Sequence, residues 1–298
     1  MLKGKEFYVM QIIAHVVLII LTVAAVFPIL ILFSTSLTDQ ATIIQHGYNI
    51  WPRKLGMEAY EYLWKQRDQI FQAYGVTVLV TAVGTVANIT VTSLMAYPLS
   101  RRDLPGRNIF AFFVFFTMLF SGGLVPTYLI YTEIFHIKNT LFGLIVPTLL
   151  MSPWYVFLMR TNLSSMIPPE IIESASIDGA SEFRTFRSII IPMGRPIIAT
   201  VALFSGINYW NDWYNGMIYL TKPALFSIQN LLNRMLADIQ FLSTNAAMAG
   251  NMGDIVANIP GTTVRMAIAA IGILPIIIIY PFVQNNFVKG IAVGAVKG

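Results

Sequence analysis

The chain has 298 residues, of which 56% are hydrophobic and only 11% charged, with a mean hydropathy of +0.68. Soluble domains carry about 25% charged residues, so an ordinary water-soluble globule is excluded. The absence of cysteine removes disulfides, thiolate metal sites and cysteine nucleophiles, and the net charge of +5 reads as membrane topology rather than nucleic-acid binding.

A bilayer core about 30 Å thick needs roughly 20 apolar residues per helical crossing, because a helix satisfies its own backbone groups in hydrocarbon. Six apolar segments of that kind follow one another: 11–36, 75–100, 109–131, 140–159, 195–220 and 264–287. The pattern predicts an all-α membrane protein of six transmembrane helices forming a single transmembrane domain over 1–298. Lys3 and Lys5 precede the first apolar run in the manner of a signal peptide. That run is too long for such a peptide and lacks a small-residue cleavage site, so a retained first helix is expected.

Loops are expected over 37–74 and 221–263, a basic turn over 101–108, a short turn near 133–139 and a polar segment over 160–194. Eleven of the 19 Lys and Arg residues fall on the side holding both termini, and they sit in short segments near helix ends. The positive-inside rule then makes both termini cytoplasmic and the two long loops external, in a multi-pass protein of the cytoplasmic membrane. His15, His46 and His136 are scattered without metal-ligand spacing, and no metal role is expected.

Within the second segment, Thr77, Thr81, Thr85, Asn88 and Thr92 recur every three or four residues along one face. Such a face serves either helix packing or a cargo path, since polar groups in hydrocarbon turn toward other helices. In the third, Gly122, Gly123 and Pro126 predict a kink or break near Pro126. The fifth ends in Asn208, Tyr209, Trp210, Asn211, Asp212, Trp213, Tyr214 and Asn215. That composition fits an interfacial aromatic belt or a sugar contact, through ring stacking and hydroxyl bonding. Thr81, Asn88, Tyr128, Trp210, Asn211 and Asp212 are the candidate cargo-path residues. Asp212 stands out among them as an ionisable group near membrane depth.

The stretch 167–196 reads IPPEIIESASIDGASEFRTFRSIIIPMGRP. Pro168 and Pro169 suit a helix start, Glu170 and Glu173 favour its first turns, and Asp178 with Gly179 close it. A second short helix is expected from about Ser181, carrying Phe183 and Phe186. This run resembles the cytoplasmic coupling segment of ABC importer permeases, described by a Glu-Ala-Ala start and a glycine downstream. Its counterparts are Glu173, Ser174 and Ala175, then Asp178, Gly179 and Ala180, then 189–192, with serine in place of the first alanine. The likeness extends to the 120–128 stretch, the Trp210 to Asp212 patch and the ending 282–298, and is greatest to the smaller maltose-type subunit of carbohydrate-uptake permeases.

That resemblance implies contact of Glu170, Ile171, Glu173, Ser174, Ala175, Asp178, Gly179, Ala180 and Phe183 with an ATPase subunit. It also implies a cytoplasmic tail, 290–298, reaching the ATPases through Lys289, Gly290, Lys297 and Gly298. The implied partners are a second homologous permease, two ATPases, an external solute-binding protein, membrane lipid and an oligosaccharide cargo. No G-x-x-x-x-G-K-[ST] phosphate loop occurs, Gly4-Lys5-Glu6 lacking its frame. No cofactor is therefore expected in this chain, ATP and Mg being bound by the partner ATPase, and no enzymatic activity of its own. External Arg53, Lys54, Lys65 and Arg67 raise the expectation of an acidic cargo such as alginate or another uronate. The alternatives are an ion-coupled secondary sugar transporter, for which Asp212 alone is a candidate carboxylate, and a membrane enzyme, for which no catalytic constellation is seen.

Overall fold

The computed structural model describes residues 5–245 and 261–295, with side chains from Phe7 to Phe241 and over most of 261–281. Its described elements are helical, apart from one isolated antiparallel bridge between Thr38 and Leu55. In chain order they are α1 (Lys5–Ser36), α2 (Gln40–His46), α3 (Glu58–Lys65), α4 (Arg67–Ser100), α5 (Arg107–Leu119) and α6 (Leu124–Leu129). There follow α7 (Phe142–Ile145), α8 (Pro153–Met166), α9 (Pro169–Ile177), α10 (Glu182–Thr185) and α11 (Ile191–Met193). The last four are α12 (Arg195–Asn211), α13 (Tyr214–Tyr219), α14 (Ile228–Asn245) and α15 (Gly261–Ala295).

Among the described residues, three helices are long and apolar enough to cross a membrane, over Phe7–Ser36, Arg67–Ser100 and Gly261–Ile278. Two further candidates are bent pairs, α5 with Leu124–Ile134 at 113° and Glu182–Met193 with α12 at 79°. Three of the six spans expected from hydropathy are interrupted. The third breaks near Pro126, as expected, over Phe120 to Gly123, where Gly123 takes φ 84°. That proline lies in the first turn of α6, where its missing N–H has no intrahelical acceptor to lose. The fourth is reduced to the four-residue α7, an irregular stretch with Thr148 at φ 60°, and α8 starting on Pro153. The fifth breaks at Asp212 and Trp213 before α13.

The long loops are also more ordered than the sequence predicts. Residues 37–74 contain α2, α3 and the first turns of α4, and 221–263 contain α14. The described chain divides into two compact units, Met1–Arg67 with Leu232–Pro275, and Asp68–Leu231 with Ile276–Gly298.

In the first unit, the most apolar window of α1 is entirely unburied, as a lipid-facing helix requires. Its polar end folds into a compact turn. The Ser34 hydroxyl donates to Asn49 O at 2.7 Å, Ser36 and Tyr60 share a hydrogen bond of 2.9 Å, and Asp39 caps α2 by accepting from Thr42 N at 3.1 Å. Lys54 lies 3.5 Å from Asp39, and Arg67 sits 5.4 Å over the Trp64 ring. Two of the four cations expected to attract acidic cargo therefore already have partners.

The second unit is centred on one apolar cluster. Ala96, Tyr97 and Leu99 of α4, Val114 of α5, Val156 and Met159 of α8, Phe186, and Val201 of α12 are all buried together. This core fixes one end of α4 against α5, α8 and α12.

Candidate coupling segment and cargo path

The segment expected to be helix, glycine turn and helix is so built. Pro168 precedes α9 in extended conformation and Pro169 occupies its first turn, so neither missing N–H leaves a carbonyl without its donor. Glu170, Glu173, Ser174 and Asp178 are exposed, Ile171 and Ile172 are half-buried, and Ala175 is buried. The helix thus turns one small face inward and a polar face out, with Ile177 largely exposed at its end. Asp178, Gly179 and Ala180 return their amides to Ser174 O, Ser176 O and Ala175 O, which closes the last turn. Gly179 does this at φ 75°, a conformation glycine adopts without a Cβ penalty. A Cβ there would meet nothing within 4 Å, so the requirement is conformational rather than steric.

Ser181 then caps α10, its hydroxyl accepting from Arg184 N at 3.3 Å. Phe183 is 68% exposed, whereas Phe186 is buried against Tyr97 at 5.5 Å between ring centroids. Beneath α9 lies a cleft of about 850 Å³ whose walls include Arg102, Arg107, Ile172, Glu173 and Ser176. Sequence reading missed the residues that anchor this segment: Tyr97 and Arg101 on one side and Glu182 on the other, held together by hydrogen bonds.

The membrane-depth candidates divide into two groups. Around the broken fourth segment, four carbonyls accept from side chains of other helices. Tyr209 donates to Ile145 O at 2.9 Å, Asn215 to Pro147 O at 3.0 Å, and Asn88 to Leu149 O at 2.8 Å and Leu150 O at 3.2 Å. Irregular backbone at membrane depth persists only where its polar groups are met by protein or by a water-filled cavity. The polar face of α4 therefore has a packing role, at Asn88 and also at Thr77, which accepts from Ile228 N at 2.7 Å.

That role is incomplete. The Thr81, Thr85 and Thr92 hydroxyls, Asn88 Oδ1, Ser205 Oγ, Trp210 Nε1 and Asp212 Oδ2 are buried without a partner among the described residues. Trp210 packs beside Tyr74 at 6.4 Å, Asn211 is exposed, and Asp212 accepts from Asn215 N at 3.2 Å, ending α12 and starting α13. Tyr128 belongs elsewhere. It stacks on Tyr219 at 6.0 Å and accepts from Lys138 Nζ at 2.9 Å, which raises the lysine's pKa above its ordinary value. Of the tail residues, Lys289 and Gly290 lie within α15, whereas Lys297 and Gly298 fall outside the described residues.

A family model described as binding-protein-dependent transport system inner membrane component matches residues 88–293. The chain belongs to that family. The match runs from the middle of α4 almost to the end of α15, so the broken segment and α9 both lie inside it. Among relatives of this transport family, the chain is 34% identical over 275 residues to protein LplC of Bacillus subtilis strain 168, covering 92% of this chain and 90% of that one. It is 33% identical to the polygalacturonan/rhamnogalacturonan transport system permease protein YtcP of the same strain, covering 94% and 96% of the two chains. A crystal structure of a bacterial ABC transporter involved in the import of the acidic polysaccharide alginate superposes with a TM-score of 0.79 at 27% identity. It covers 96% of this chain and 99% of that one.

Proposed function

We propose that this chain is one permease subunit of an ATP-driven importer that receives an oligosaccharide from a binding protein and moves it inward by alternating access. The observation that carries the reading is the exposed helix α9, closed at Gly179, in a chain of the binding-protein-dependent transport family. On this reading the chain crosses the membrane six times, counting its bent and broken segments, and both termini are cytoplasmic. The helix α9 enters a cleft on an ATPase subunit, through Glu170, Ile171, Glu173, Ser174 and Ala175, with Asp178 to Ala180 forming its exit and Phe183 beside it. Lys289 and Gly290, with Lys297 and Gly298 beyond, reach the ATPase pair from the other direction. ATP and Mg are held by those two ATPases, so this chain supplies motion and a path, not hydrolysis.

A second, homologous permease completes the assembly, because two ATPases present two clefts and this chain has one such helix among the described residues; a pseudo-two-fold pair is the closed solution. The cargo is an acidic oligosaccharide. In support, a similar solved structure is described as importing alginate and a similar permease as serving polygalacturonan, while Lys138 is exposed beside the Tyr128 ring, 5.6 Å from its centroid. The buried unpartnered hydroxyls of Thr81 and Asn88 Oδ1, with Trp210 and Asp212, are offered as the polar groups of the path.

Reconstitution with partner permease, ATPases and binding protein tests this directly. Vanadate-sensitive uptake, with ATP hydrolysis stimulated by uronate oligosaccharides more than by neutral ones, is the expected result. Uptake that an uncoupler abolishes while ATP is maintained contradicts it in favour of ion coupling, and robust uptake by a homodimer of this chain contradicts the paired assembly.

A further inference from the structure

The end of α4 and the start of α10 meet in one small polar cluster. Tyr97 Oη donates to Glu182 Oε2 at 2.8 Å, and Arg101 Nη1 donates to the same oxygen at 2.7 Å. The opposite edge of the guanidinium grips Asp103, with Nε donating to Oδ1 at 2.9 Å and Nη2 donating to Oδ2. One planar fork is thus held between two carboxylates. The Arg101 side chain is only 16% exposed, while Glu182 and Asp103 are mostly exposed.

The same end of α4 is tied to α8, whose Arg160 Nε donates to Leu99 O at 3.0 Å and whose Ser164 hydroxyl donates to Ser100 O at 3.1 Å. Between these two attachments hangs α9, which among the described residues no side-chain hydrogen bond or ion pair joins to α4. Residues before α9 and residues after it are therefore anchored to one helix end, and α9 is carried by them. We propose that Arg101 is the positioning residue that makes the docking segment move with α4, through its Nη1 bonds to Glu182 while its Nε–Nη2 fork is held by Asp103. The proposal rests on α9 being the docking helix, and it adds the residue through which displacement of that helix reaches the membrane.

The physics favours this position for a force path. Charge-assisted bonds are roughly twice as strong as neutral ones, and a guanidinium fork fixes direction as well as distance. A lysine would keep the charge and lose the fork. The Tyr97 ring, packed on Phe186, backs the cluster with buried apolar contact. Displacement of α4 is then felt at Asn88, which holds two carbonyls of the broken segment.

The test uses the complete importer in proteoliposomes, at matched abundance, and reads cargo moved per ATP hydrolysed. Arg101→Gln, Arg101→Lys and Glu182→Gln should each lower that ratio, the first by about tenfold, a size within the range of coupling between interacting residues. Co-purification of the ATPase and basal ATP hydrolysis should persist. Because the chain has no cysteine, Arg101→Cys with Glu182→Cys can be bridged by a short bismaleimide, and bridging should restore most of the lost ratio. An unchanged ratio in Glu182→Gln, or arrest of transport by the bridge, overturns the proposal. Should Arg101→Gln fail to accumulate, the exposed Glu182→Gln and the bridged pair still decide it. Failure of the docking reading itself would show separately, as normal ATPase retention in chains carrying Gly179→Val or Glu173→Lys on α9.

Discussion

Asn88 spends one amide group on two carbonyls, those of Leu149 and Leu150, and Asn215 and Tyr209 do the same service at Pro147 and Ile145. Removing such a donor leaves a buried acceptor without a partner, at a cost of about 1–3 kcal/mol. Asn88→Leu should therefore lower the unfolding temperature of the detergent-purified chain and its membrane abundance, more than Thr90→Val on the exposed side of the same helix. Equal melting of the two variants would contradict the clasping role. The periodicity of Thr77 to Thr92 made this face legible in the sequence. Its purpose was not, because Asn88 is 61 residues from its acceptor and the need for a donor arises only once the fourth segment breaks. Hydropathy averages over such a break, and Pro147, Thr148 and Pro153 signal it only weakly against a run of leucines.

At the scale of elements, α9 was readable to within two residues because everything that shapes it is local: prolines at its start, glutamates in its first turns, and glycine at its exit. The packing of α4 on α12 was not readable. Gly84 accepts the Tyr209 ring so closely that an added Cβ would lie 2.5 Å from Cζ. With Tyr209 fully buried and held by its hydroxyl bond, Gly84→Val should cost about 1–3 kcal/mol, the usual penalty of overpacking. Thermal melting should show the loss, and Tyr209→Leu in the same chain should recover part of it; no recovery would assign the loss to the helix backbone alone.

The turn after α1 carries a pH-dependent device. Thr42 donates to Asp39 from its hydroxyl and its amide, and Lys54 adds attraction, so the carboxyl is held below its ordinary range. A group more acidic when folded contributes stability above its unfolded pKa of about 3.9 and loses it as pH falls through the lower folded value. Melting temperature should therefore drop on acidification below about pH 4, and Asp39→Asn should remove that part of the slope. An identical slope in the variant would contradict the assignment.

For the molecule as a whole, composition alone excluded a soluble protein, and the apolar runs at both ends of the chain correspond to the long helices α1 and α15. The second run is the continuous α4, whereas the third to fifth are bent or broken; at the fourth, polar side chains from distant segments meet the irregular backbone, which a one-dimensional pattern cannot register. The central claim is that this importer subunit is driven through α9. It is tested most directly by cargo-stimulated ATP hydrolysis, together with ATPase retention, in complexes carrying Gly179→Val or Glu173→Lys at matched membrane abundance. Gly179 is at φ 75°, so a β-branched residue there strains the exit of α9 by about 1–2 kcal/mol, while Glu173→Lys reverses a charge on its exposed face. The account predicts that both variants insert normally while uptake, stimulated hydrolysis and ATPase retention fall together. Normal retention and normal stimulated hydrolysis in both would contradict it.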